Sequence, residues 1–201
     1  MKGSLIIVGF FVLGTICGVC HLLPFDIAET NISYYALCAL MFSVGLSVGN
    51  DPQTLKNFRS LNPRLVFLPI MTILGTLAGS AAVSLILTHR SITDCLAVGS
   101  GFGYYSLSSI FITEYKGAEL GTIALLANIS REILTLLAAP LLVRWFGNLA
   151  PISAGGATTM DTTLPIITRT AGQQFVVVSI FHGFVVDFSV PFLVTLFVLF
   201  S

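Results

Sequence analysis

Charge is what this sequence has least of. Only 9% of its 201 residues are Asp, Glu, Lys or Arg, and nine bases cancel nine acids. A soluble domain carries about 25% charged residues. The shortage excludes an ordinary soluble enzyme, a disordered chain and a nucleic-acid binder, and no basic tail points to an acidic membrane surface. Tryptophan is nearly absent, with one Trp against sixteen Phe, a balance that suits lipid-facing helices. The four cysteines, Cys17, Cys20, Cys38 and Cys95, lie within or beside apolar runs, which argues against a disulfide framework. There is no nucleophile triad and no zinc spacing, and His21, His89 and His182 are too scattered to nominate a metal. No cofactor is expected.

What is present is apolar sequence. Hydrophobic residues make up 55% of the chain and mean hydropathy is +0.96. The expected class is an all-α polytopic integral membrane protein. The apolar segments are 3–23, 32–49, 65–88, 92–113, 118–146, 150–170 and 173–200. Five of them read as full transmembrane helices. The first follows Lys2 but is too long for a signal-peptide core and lacks a cleavage site, so a retained span is expected. The whole of 1–201 reads as one transport domain, with 1–90 as scaffold spans. Residues 92–146 form a broken segment plus helix, and 150–200 a second such unit.

The two broken segments carry the unusual composition. In 92–113, Gly99-Ser100-Gly101-Phe102-Gly103 precedes Tyr104-Tyr105-Ser106-Leu107-Ser108-Ser109. In 150–170, Pro151 and Gly155-Gly156 precede Thr158-Thr159-Met160-Asp161-Thr162-Thr163-Leu164-Pro165. Glycine, hydroxyl and proline runs weaken a helix, and irregular backbone at membrane depth survives only inside protein or along a watery cavity. Slid by 55 residues, the chain places Gly101 on Gly156, Ile112 on Ile167, Thr113 on Thr168 and Gly117 on Gly172. The same register sets Ser106 on Asp161 and Glu132 on Asp187. Weak symmetry between interrupted segments points to a secondary transporter's binding site. The basic loop 50–64 (Lys56, Arg59, Arg64) is expected in the cytoplasm. Lys2 and the N-terminus then also lie inside, and the C-terminus outside. With both broken segments re-entrant, the two units form an inverted repeat. Full crossing by both would make the repeats parallel.

Two motif matches lead elsewhere. Cys17-Gly18-Val19-Cys20-His21 fits the C-x-x-C-H haem attachment pattern. It ends an apolar helix, however, and no polar haem pocket follows. The glycines at Gly99–Gly103 lack the strand–helix context of a dinucleotide fingerprint.

Ionisable groups deep in apolar sequence are costly and are functional candidates by default. Glu132 lies mid-helix, with Asn128 four residues earlier on the same face. Its neighbour Arg131 points about 100° away, so the two do not pair readily. Asp161 sits among hydroxyls with Thr162 and Thr163, where it could bind a small cation, cap a half-helix, or do both. Asp187 follows Gly183 by one turn, and that glycine permits close approach by another segment. A packing role for Asp187 is the alternative. His182 suits a structural role better than a proton relay. The candidate binding set is therefore Glu132, Asp161, Arg131, Asn128, Asp187, Ser106, Thr162 and Thr163.

These motifs resemble a known family. Gly101-Phe102-Gly103-Tyr104-Tyr105-Ser106-Leu107-Ser108 is similar to the GFGWYSLS signature of the LysO lysine exporters. Leu126-Ala127-Asn128-Ile129-Ser130-Arg131-Glu132-Ile133-Leu134 resembles that family's LLANxxREIL. The stretch from Ala150 to Pro165 resembles GGATxMDTTLP, and 179–183 resembles V-x-HG. The similarity spans most of 35–195. It implies an inner-membrane exporter of L-lysine, with Glu132 and Asp161 at motif positions. Coupling to proton or sodium entry is expected, because no nucleotide-binding motif is present. Family members usually carry further membrane segments ahead of the matched region. A small, separately encoded membrane subunit is therefore expected as a partner, and a homodimer is a further option. The alternatives are a carrier of another small metabolite or cation, and a non-transporting membrane subunit.

Overall fold

A computed structural model describes residues 63–87 and 89–200, together with 13, 14, 16–18, 20 and 35. The chain divides into two compact units, 1–43 and 44–201. In the first unit, residues 13, 14, 16–18 and 35 are helical. The remainder of expected spans 3–23 and 32–49 lies outside the described residues, as do loop residues 50–62, Lys2, His21 and Cys38. Cys17, Cys20 and Cys95 are free thiols.

The second unit is helical throughout its described residues, with no strand among them. Helix α1 covers Phe67–Ser84, α2 Ile92–Gly99, α3 Tyr105–Lys116 and α4 Ala118–Phe146. Then come α5 (Ala150–Gly155), a 3-10 turn (Gly156–Met160), α6 (Leu164–Ala171) and α7 (Val176–Leu199). Three of these helices are long and apolar enough to cross a membrane: Phe67–Ser84, Ala118–Phe146 and the stretch Gln173–Leu199 that contains α7. They match the expected spans 65–88, 118–146 and 173–200.

The broken segments fold as helical hairpins. Helix α2 starts on a capped turn, where Ser91 Oγ accepts from the Asp94 N–H at 3.0 Å. The preceding Arg90 pairs with Glu119 in the first turn of α4. The start of α2, the end of α3 and the start of α4 therefore lie at one end of the bundle. The tip between α2 and α3 reaches the middle of α4. There Asn128 donates to the Val98 carbonyl at 3.2 Å and accepts from the Gly103 N–H at 2.8 Å. The second hairpin enters from the opposite end. Ile152 of α5, Ile167 and Ala171 of α6, and Val178 of α7 form one buried cluster with Leu149 and Val143. The start of α5 and the end of α6 thus sit together beside the end of α4.

The 55-residue register has a structural meaning. Gly117 and Gly172 both end the outgoing half-helix at positive φ, 88° and 114°. Ile112 and Ile167 are both fully buried on those half-helices. Gly101 and Gly156 both lie in the hairpin tips. Each unit is a hairpin followed by a span, and the two run in opposite directions.

Candidate functional site

The two tips meet. The Ala157 N–H donates to the Phe102 carbonyl at 2.9 Å. Phe102 is fully buried and holds φ 45°, a left-handed conformation uncommon for a bulky residue. Gly103 turns the chain next, and the second tip packs against Gly183 of α7. A Cβ there would lie 2.7 Å from the Met160 nitrogen. The expectation that Gly183 admits another segment is met by the turn ahead of Asp161.

Beside this crossing is a cavity of about 140 Å³. Its walls are Gly103, Tyr104, Tyr105 and Ser106 from the first tip, Glu132 from α4, and Asp187 from α7. Ala157, Thr158, Met160, Asp161 and Thr162 complete it from the second tip. Glu132 is the central residue of α4, and Asp187 lies at the middle of α7. The cavity therefore stands halfway along both spans. Among the described residues, no lysine, arginine or histidine lines it.

The three acids differ in depth. Asp161 is exposed, and its Oδ1 accepts from the Thr162 N–H at 2.5 Å. Glu132 is half-buried. Asp187 is only 5% exposed. They do not converge into a cluster of metal-ligating geometry among the described residues.

Of the eight candidates, Glu132, Asp161, Asp187, Ser106 and Thr162 line the cavity, while Arg131, Asn128 and Thr163 do not. Arg131 faces the other side of α4. Its Nε donates to the Ala154 carbonyl at 2.8 Å and one terminal nitrogen to the Ser153 carbonyl at 3.0 Å. The other terminal nitrogen reaches Thr76 Oγ1 of α1 at 3.3 Å, and the guanidinium lies 5.8 Å from the Phe102 ring centre. Arg131 thus clamps α5 to α4 and α1. Asn128 holds the first tip. Thr163 is buried inside the second, 3.2 Å from the Thr158 hydroxyl. His182 is also fully buried, bridging Thr72 of α1 (2.9 Å) and Thr159 of the second tip (3.2 Å). Tyr104, Tyr105 and Met160 were not among the candidates. The signal that could have found them is their place next to Ser106 and Asp161 in the interrupted runs.

Opposed helical hairpins meeting halfway along two apolar spans, beside three acids, mark a multi-pass membrane protein with the build of a transporter. The comparisons carry the identification further. The sequence profile described as lysine exporter LysO matches residues 8–198. The chain belongs to that family. It is 36% identical over 194 residues to the lysine exporter LysO of Escherichia coli, covering 96% of this chain and 64% of that relative's length. It is 34% identical over 194 residues to a Haemophilus influenzae protein named "Putative lysine exporter", covering 96% of this chain and 95% of that protein. No solved structure matches the chain.

Proposed function

We propose that this chain carries L-lysine out of the cytoplasm across a bacterial inner membrane, in exchange for an entering proton or sodium ion. The observation that carries the reading is the mid-depth cavity, where Glu132, Asp161 and Asp187 face one small space with no basic side chain. Unpaired acids at membrane depth are costly unless a cation meets them, and lysine brings two ammonium groups. Membership of the lysine exporter family supports the same cargo. The cargo's carboxylate needs a different partner. Arg131 is occupied by carbonyls on the far side of α4. The first turn of α3 at Ser106 borders the cavity and presents the positive end of a 12-residue helix.

In this reading Glu132 and Asp161 hold the ammonium groups, Thr162 orients Asp161, and the hairpin tips form the wall that must move for access to alternate. The cargo leaves chemically unchanged. The N-terminus and loop 50–64 face the cytoplasm and the C-terminus faces outward. A small companion subunit and pairing of two copies, raised by the resemblance, are tested by co-purification in mild detergent.

The deciding experiment is lysine efflux. Cells lacking the gene and fed lysine-containing dipeptides should accumulate lysine and become sensitive to toxic lysine analogues. Unchanged pools and unchanged sensitivity would refute export. Counterflow with labelled lysine, ornithine and arginine fixes the cargo.

A further inference from the structure

Asp187 stands apart from the other two acids of the cavity. It is 5% exposed and borders the cavity, and it makes no hydrogen bond or ion pair with the described residues. Asp161 has its own donors in Thr162, and Asp161 and Glu132 are both more open to solvent. Among the described residues no unpartnered polar atom is fully enclosed, so the Asp187 oxygens meet the cavity, and a carboxylate with no donors and little water takes a cation as its partner.

We propose that Asp187 is the proton-carrying group of the exchange cycle, distinct from the pair that holds the cargo. The inference rests on the export reading above. A proton needs one oxygen. A metal ion of the sodium class needs several oxygens arranged around it. The three acids also fail to converge on a common ligation point among the described residues. The titratable groups that line the cavity with Asp187 are Asp161 from the second tip, Glu132 from α4, and Tyr104 and Tyr105 from the first tip. His182, on the same helix, is turned away and tied to Thr72 and Thr159. The acid neighbours favour a proton on Asp187 while the cavity is empty. An arriving ammonium offsets the negative charge of Glu132 and Asp161 and releases that proton. In balance, one proton leaves the Asp187 carboxyl for the water on the cargo's side of entry. One is taken back from the opposite side after the cargo has gone.

The test uses everted membrane vesicles from cells expressing the full chain, with labelled lysine. Two assays run side by side: uptake driven by an imposed pH gradient, and counterflow with no gradient. A one-proton exchanger converts each pH unit into about a tenfold lysine gradient. Asp187→Asn should therefore lose about tenfold in gradient-driven accumulation per unit imposed, while the counterflow it retains no longer changes with pH. Asp187→Glu should keep the drive with a displaced pH profile. Proton-driven accumulation by Asp187→Asn overturns the proposal alone and leaves the export reading standing. So does wild-type uptake driven by a sodium gradient at equal pH. Loss of counterflow in an inserted Asp187→Asn makes Asp187 a cargo ligand and also overturns it. Should Asp187→Asn fail to insert, an unchanged pH profile in Asp187→Glu overturns it. No lysine movement by the wild type in either assay removes the export reading, and this proposal with it.

Discussion

Gly156→Ala tests whether the crossing of the two tips holds the site together. Gly156 has φ 62°, and an added Cβ would collide with the Phe102 carbonyl oxygen and come within 3.3 Å of the Arg131 guanidinium. The collision is with backbone, so no side-chain rotation relieves it. Two costs follow. Holding alanine in a sparsely populated backbone region costs about 1–3 kcal/mol. Pushing Phe102 away breaks the Ala157-to-Phe102 hydrogen bond and leaves buried groups unpaired, at about 1–3 kcal/mol more. Gly147→Ala is the control. Gly147 also has positive φ, 86°, but nothing lies within 4 Å of its added Cβ, so only the backbone cost applies. Thermal unfolding in mild detergent should place Gly156→Ala below Gly147→Ala by about 1–3 kcal/mol. Efflux should be lost only in Gly156→Ala, because Gly103, Ala157 and Thr158 wall the cavity from the crossing itself. Equal melting of the two variants with intact efflux in both would refute the argument.

Other expectations follow from the same geometry. Glu132→Gln and Asp161→Asn keep shape and remove charge, so each should abolish lysine efflux at near-normal expression; wild-type efflux from both would remove them from the site. Arg131→Lys keeps the charge but loses the fork that grips the Ser153 and Ala154 carbonyls. It should lower stability by about 1–3 kcal/mol in the same melts, and an unchanged melt would show that the clamp is not needed. An impermeant thiol reagent on intact cells should label a cysteine added after Ser201 and not one at Asn57. The opposite pattern would invert the proposed orientation.

The hairpins were legible because their interruptions are compositional. Gly99 to Gly103 and Thr158 to Thr163 cannot read as ordinary spans. The 55-residue register paired Ser106 with Asp161 and Glu132 with Asp187, and all four line one cavity. Spacing also showed Arg131 and Glu132 diverging around α4. What Arg131 grips was illegible, since its partners are mainly backbone carbonyls, and any residue type supplies those. Thr163 and Asn128 lie off the cavity for a related reason. Both are polar and adjacent to candidates, yet each satisfies its hydrogen bonds inside the hairpin it supports, Thr163 with Thr158 and Asn128 with Val98 and Gly103. Sequence marks polarity at membrane depth; it does not say whether a polar group faces a cavity or a neighbouring backbone.

The separation of Arg131 from the acids suits the proposed binding of cations in the cavity. A buried guanidinium beside Glu132 would pair with it and cancel its negative charge. Here the guanidinium is offset instead by the carbonyls of Ser153 and Ala154, near the C-terminal end of a half-helix, where partial negative charge collects. Helix α4 accomplishes this with two consecutive residues, because a step of about 100° sends one side chain to the hairpin stem and the next into the cavity. The positive charge then fixes the wall while Glu132, Asp161 and Asp187 remain for mobile cations. The same arrangement ties structure to cargo. The Arg131 guanidinium lies over the Phe102 ring, and the carbonyl of the same residue receives the Ala157 N–H, so a movement of the second hairpin alters both the clamp and the tip that carries Asp161. In a carrier whose access alternates, that shared contact couples the position of the hairpin to the occupancy of the acids.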